Sequence, residues 1–160
     1  MEFLKHKILE GTALQEKIQS WKAGGKRIVF TNGCFDLLHA GHLAYLSEAA
    51  DLGDVLIVGL NSDNSVQCLK GPSRPVNDER TRALLLASMF FIDAVVSFSE
   101  ETPLALIKSI MPDVLVKGGD YEISQIAGSK EVLENGGQVK ILSFLPGYSS
   151  SSIIEKIKKG

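Results

Sequence analysis

The sequence predicts an α/β fold, a doubly wound, parallel, five-stranded sheet with helices on both faces. Three observations predict it. Short β-branched apolar runs alternate with longer helical stretches, the spacing of successive βαβ units. Those runs are nearly continuous in apolar residues, as in DVLIVGL at 54–60, which suits strands covered on both faces. The chain has 160 residues, 44% of them apolar, enough for one core of ordinary size.

Each element follows from local signals. Thr12 is placed to cap a first helix through Gln15, Ile18 and Trp21, with Gly24 and Gly25 ending it. Residues 1–26 then read as a helical extension ahead of a core at 27–160, within one domain. Arg27 to Thr31 reads as a buried strand. Ala40 to Leu52 carries Leu43, Leu46 and Ala50 at helical spacing, with Gly53 placed to end the helix. Asp54 to Leu60 is the second strand. A Gly-, Pro- and Ser-containing loop, Lys70 to Asn77, follows a helical segment and precedes a helix over Asp78 to Phe90. Ala94 to Phe98 is the third strand, and Thr102 and Pro103 suit the cap and first position of a helix to Ile110. Pro112 to Lys117 and Gln138 to Ser143 supply strands four and five, around a helix near Ser129 to Glu134. The last helix starts in the serine run and ends near Lys159. In such sheets ligands bind at the carboxyl ends of the strands, so the loops after Thr31, Leu60 and Lys117 mark the functional edge.

Charge narrows the function. Seventeen Lys and Arg against nineteen Asp and Glu give a net charge of −2, which argues against a nucleic-acid binder and leaves room for a local phosphate pocket. Cys34 and Cys68 are too few for a disulfide framework and read as reduced thiols. The N-terminus MEFLKHKILE lacks the apolar core of a signal peptide, and no run approaches the roughly 18 apolar residues of a membrane span. A soluble, cytoplasmic protein is expected.

The segment TNGCFDLLHAGH at 31–42 concentrates the chemistry. Gly33 permits a tight turn and close approach of backbone amides to a ligand. His39 and His42 stand three apart and share a face on a helical turn, with Gly41 between them leaving room for a phosphate. A helix N-terminus adds free amides and positive partial charge at the same place. Such a site suits an anion whose charge grows during reaction. A zinc site would need further ligands, and the third histidine of the chain is the distant His6. A nucleophilic role for Cys34 would need a paired base.

On these residues the chain resembles the cytidylyltransferase-like nucleotidyltransferases. Their pattern Gly-x-Phe-Asp-x-x-His-x-Gly-His is matched by Gly33, Phe35, Asp36, His39, Gly41 and His42. The resemblance runs from Arg27 to Ile157 and implies a Rossmann-like fold. It also implies in-line attack of a substrate phosphate on a nucleotide α-phosphate, with no covalent enzyme intermediate. The segments LNSD, LKGPSRPVN, PDVLVKGGDY and SSSSII are similar to the branch acting on D-glycero-manno-heptose 1-phosphate. That branch forms ADP-heptose from ATP for surface glycans such as lipopolysaccharide. The resemblance does not specify the anomer.

Residue by residue, the resemblance implies catalysis by His39, His42 and Lys70. It implies nucleotide contacts by Asn32, Gly33, Cys34, Phe35, Gly41, Lys117, Gly118, Asp120, Ser149, Ser150 and Ser151. Asp36, Lys70 and Arg82 are implied to meet the acceptor, and Arg80 lies on another face of the same helix. Lys70 and Arg74 read on their own as a basic loop suited to a phosphate, and the serine run as a helix cap with a second anion site. Ile154 and Glu155 stand where some branches carry an arginine, which counts against a pantetheine-phosphate adenylyltransferase. Mg²⁺ is expected with ATP, held mainly by phosphates and water and without a dedicated protein cage. A homodimer is the implied assembly. Two other readings stay open: a glycerol-3-phosphate or ethanolamine-phosphate cytidylyltransferase, and a non-catalytic nucleotide-binding module.

Overall fold

The computed structural model describes residues 2–160, with side chains from Leu4 onward. In chain order it contains α1 (Glu2–Lys5), α2 (Gly11–Ala23), β1 (Ile28–Gly33), α3 (Ala40–Ala50), β2 (Val55–Asn61), α4 (Asp63–Lys70) and α5 (Glu79–Ala87). Then follow β3 (Ala94–Phe98), α6 (Leu104–Ile110), β4 (Val114–Gly118), a 3₁₀ turn at Ile123–Gln125, α7 (Ser129–Glu134), β5 (Gln138–Leu142) and α8 (Ser150–Lys159). The five strands form one sheet in the order β3-β2-β1-β4-β5, and every pairing is parallel. This is the Rossmann-like doubly wound arrangement, with its switch point between β1 and β4.

The apolar runs divide between two layers because successive strand residues face opposite sides. Val29, Leu56 and Val58 meet Leu46 and Ala49 of α3 and Leu86 of α5. Ile28, Phe30 and Ile57 meet Leu14 and Ile18 of α2, Ile107 and Ile110 of α6, and Val132 of α7. Both layers are dry enough to leave Phe30 and Leu46 fully buried. At roughly 2 kcal/mol per fully buried large apolar side chain, these layers supply the main drive to fold.

β1 pairs with β2 along its whole length, from Ile28 opposite Val55 to Gly33 opposite Leu60. It pairs with β4 at Val29 and Phe30 alone. Beyond those two residues the carboxyl ends of β1 and β4 do not pair with each other, and the opening between them is where the site lies.

The segment before β1 packs against the sheet: the Leu9 amide donates to the Val95 carbonyl (2.9 Å) and the Val95 amide to the Lys7 carbonyl (2.8 Å). The edge of β3 is thereby covered at that point. Thr12 lies inside the first turn of α2, because the helix begins at Gly11 with Glu10 before it and no side-chain cap. Pro103, not Thr102, stands at the N-cap of α6. Helix α3 stops at Ala50, and Gly53 serves a different need: a Cβ there would lie 2.6 Å from the Arg27 carbonyl oxygen. Helix α5 ends at Ala87, short of Phe90, and β1 runs on to Gly33.

Candidate active site

The loop from β1 to α3 is bent tightly over the sheet edge. Phe35 adopts a left-handed φ of 44°, unusual for a residue with a Cβ. Its ring folds back over Gly33, where a Cβ would lie 2.9 Å from Phe35 Cε2. It then meets the edge of the His42 ring at 5.3 Å between centroids. The glycine and the aromatic of the motif are thus one packing unit that sets the position of His42.

His39 is the N-cap of α3, with extended backbone, and its Nδ1 accepts the His42 amide proton at 3.3 Å. That bond leaves the proton of the neutral ring on Nε2. The two imidazoles stack 3.8 Å apart at 21°. The expected shared face therefore arises from a cap and a first turn rather than from two helical positions. Burial lowers the pKa of His39. Burial, with the Lys70 ammonium and the charge His39 carries when protonated, pushes His42 down to about 4, against a weaker pull from the Leu37 carbonyl. His42 Nδ1 is buried and meets no partner among the described residues. A dry imidazole with an unused nitrogen costs stability and is available to a ligand.

Two compartments meet at these rings. The larger, about 550 Å³, opens between β1 and β4 and is lined by Asn32, Gly33, Cys34, Phe35 and Asp36 on one side and Lys117, Gly118 and Asp120 on the other. The smaller, about 220 Å³, lies between the N-termini of α3 and α8 and takes in His39, Gly41, Ser149 and Ser151. His42, Lys70, Phe144 and Ser150 line both. Lys117 reaches across the opening to Asn32 Oδ1 at 3.4 Å, and burial lowers its pKa although Cys34 opposes this.

The serines are more committed to structure than the sequence suggests. The Ser149 hydroxyl caps α8 by accepting from the Ser152 amide at 3.0 Å. Ser150 donates its hydroxyl to the Leu37 carbonyl at 2.9 Å, pinning α8 to the histidine loop. What this helix end offers an anion is its unpaired first-turn amides.

Asp36 and Arg82 were expected to touch the acceptor, and the structure gives both a framing geometry. Asp36 is 1% exposed; it accepts from Arg74 Nε (2.6 Å) and from the amides of Val76 (2.8 Å) and Asn77 (3.0 Å). Burial would raise its pKa, but these donors outweigh it and hold the carboxyl below its ordinary value. Asp36 thus straps the 71–77 loop behind Lys70. Arg82 is fully buried and lines neither compartment. Its guanidinium donates to the carbonyls of Cys34 (2.7 Å), Asn61 (2.8 Å) and Asn77 (3.1 Å) and to the Asp63 carboxylate (2.7 Å). Its donors are spent on holding three loops together.

Sequence reasoning passed over Tyr45, Tyr121 and Phe144 in the larger compartment, and Leu145 and Tyr148 in the smaller. Tyr45 Oη shares a 2.5 Å hydrogen bond with Thr31 Oγ1, and burial raises its pKa to about 12. The aromatics that flank GlyGlyAsp and the serine run were the available signal.

A family model described as cytidylyltransferase-like matches residues 30–156. The chain belongs to the cytidylyltransferase-like family of nucleotidyltransferases. It is 55% identical over 153 residues to the bifunctional protein HldE of Photobacterium profundum, covering 96% of this chain and 32% of that one. The chain therefore spans about a third of the length of the curated relatives it matches. A lipopolysaccharide core biosynthesis protein from Thermoplasma volcanium shares the fold with a TM-score of 0.62 and 28% identity, over 76% of this chain and 98% of that one. A pantoate-beta-alanine ligase from Francisella tularensis, 15% identical with a TM-score of 0.54 over 94% of this chain and 76% of that one, shares the fold alone.

In this cytidylyltransferase-like chain no helix of the described residues is long and apolar enough to cross a membrane. Nor do the described residues gather three or more His, Cys, Asp or Glu side chains around one point. The donor set of the cleft fits a cation carried on phosphate oxygens and water better than one held by side chains. Gly41 is closely packed in the smaller compartment: a Cβ would lie 3.0 Å from His39 Nδ1 and 3.1 Å from Tyr148 Cβ. Gly41→Ala is expected to preserve α3, since alanine suits a helix, and to displace His39, lowering kcat by on the order of 10-fold or more. Full kcat in that variant would show that the ring position is not critical.

Proposed function

We propose that the chain is an adenylyltransferase that moves AMP from ATP to D-glycero-manno-heptose 1-phosphate, giving ADP-heptose and pyrophosphate. The observation that carries this reading is the stacked pair of neutral imidazoles at the junction of two compartments, between two helix N-termini. One compartment takes the nucleoside and the acceptor, and the other takes the β- and γ-phosphates. An oxygen of the sugar 1-phosphate attacks the α-phosphorus in line, the α–β bridging bond breaks, and its electron pair leaves on pyrophosphate. His39 and His42 donate to phosphate oxygens as charge builds on them, and Lys70 supplies a fixed positive charge at the same point. The first-turn amides of α8 receive the leaving group. Mg²⁺ neutralises part of the triphosphate charge when bound. Similarity to the HldE proteins supports the heptose branch. We further propose a cytoplasmic homodimer.

The deciding experiment measures pyrophosphate release with Mg²⁺, pairing ATP or CTP with heptose 1-phosphate, glycerol 3-phosphate or phosphoethanolamine. Turnover confined to ATP and heptose 1-phosphate is expected. Turnover with CTP and an alcohol phosphate would keep the mechanism and replace the substrate, and bound ATP without turnover would favour a binding module.

The pKa of His42 gives a second test. Its free value near 4 is set by burial, and a triphosphate beside it favours the charged form. The bound value is therefore higher, the complex holds more protons than the free protein, and ATP affinity rises as pH falls from 8 toward 5. Calorimetry in buffers of different ionisation enthalpy should show proton uptake that His42→Gln removes. Equal uptake in wild type and variant would assign it to ATP itself.

A further inference from the structure

Phe144 stands on the connection from β5 to α8 and is 56% exposed. Its ring is nonetheless closely seated. A Cβ on Gly118 would lie 2.5 Å from Phe144 Cε1 and 2.7 Å from Cζ, and one on Gly119 would lie 3.1 Å from Cε2. The ring thus occupies the space that side chains at 118 and 119 would fill. Tyr45 supports it from the interior at 5.9 Å between ring centroids. Tyr121, also half exposed, approaches Gly119 within 3.5 Å of the same Cβ position. Phe144 lines the larger compartment together with Gly118, Gly119 and Tyr121.

We infer that Phe144, seated against Gly118 and Gly119, is the platform on which the nucleobase stacks, and that the glycines leave the room its ring needs. The inference rests on the nucleotide reading above. A half-exposed aromatic ring fixed from behind is an expensive thing to leave facing water, and a flat π-surface is what it offers a base. The absence of hydrogen-bonding groups on the ring makes this a contact for any base face, so purine preference arises from stacking area.

The test is calorimetric titration of the whole chain with ATP and with inorganic tripolyphosphate, which lacks a base. Phe144→Ala and Phe144→Leu are each expected to weaken ATP by on the order of 10-fold while leaving tripolyphosphate unchanged, and Phe144→Tyr to retain both affinities. Leucine restores apolar cover without a flat face, which separates stacking from packing. Gly118→Ala displaces the ring and should reproduce the loss in wild type, but add little in the Phe144→Ala background. Unchanged ATP affinity in Phe144→Ala, equal losses for ATP and tripolyphosphate, or a full further loss from Gly118→Ala in that background would each overturn the inference. Wild-type protein that binds tripolyphosphate and ATP equally well would also overturn it, with the phosphate site intact. Wild-type protein that binds neither would overturn the nucleotide reading itself.

Discussion

His42→Ala is expected to lower kcat for pyrophosphate release by on the order of 10²- to 10³-fold, the usual cost of removing one donor aimed at developing charge. The same change should leave Tm nearly unaltered. His42 contributes little to the fold that alanine cannot: its Nδ1 is buried without a partner among the described residues, and its depressed pKa records a desolvation cost. A side chain held in an unfavourable setting, at the junction of two compartments, is placed for a ligand and not for stability. His39 is different, because it also caps α3. His39→Ala removes an imidazole and a cap, so it should lose about 1 kcal/mol of stability in addition to activity. His39→Asn retains a capping side chain and should restore Tm without restoring kcat. Wild-type kcat in both His42→Ala and His39→Asn would remove the two imidazoles from the mechanism.

The order of strands and helices was legible because the determining signals are local. Runs such as RIVFT and DVLIVGL are apolar at consecutive positions, and the doubly covered sheet requires that of its central strands. The histidine loop was legible for the same reason, since Gly33, Phe35, His39, Gly41 and His42 interact within ten residues of one another. Features set by distant partners were hidden. Gly53 looked like a helix terminator and is instead demanded by the Arg27 carbonyl across the sheet. Phe144 carries no local signal of its own, and its seat depends on Gly118, twenty-six positions earlier in sequence. The serine run was correctly seen as a cap, but the Ser150 hydroxyl is committed to Leu37, a partner 113 residues away. Periodicity carries no information about contacts of that separation.

Arg82 shows the same limit and yields the largest stability effect expected of a single substitution. The family resemblance implied a cation meeting the acceptor, and the side chain is fully buried with its partners 5, 19, 21 and 48 residues away. Arg82→Ala leaves three carbonyls and the Asp63 carboxylate without their donor and opens a cavity behind the site. Breaking such a buried charged network costs about 3–5 kcal/mol, which for a chain of this size lowers Tm by roughly 6–20 °C. Asp63 is 38% exposed and keeps some solvation, which moderates the loss. Arg82→Lys keeps the charge but lacks the planar fork that reaches four acceptors, so it should fall between wild type and alanine. Activity reports a separate consequence. The Cys34 carbonyl held by Arg82 immediately precedes Phe35, whose left-handed backbone and ring set the edge against His42. Measured well below the lowered Tm, Arg82→Ala should therefore still show kcat reduced by on the order of 10-fold, with little change in the KM for the acceptor. A raised acceptor KM with normal kcat would return Arg82 to direct substrate contact. A lowered Tm with normal kinetics would confine it to the fold, and an unchanged Tm would contradict the buried network itself.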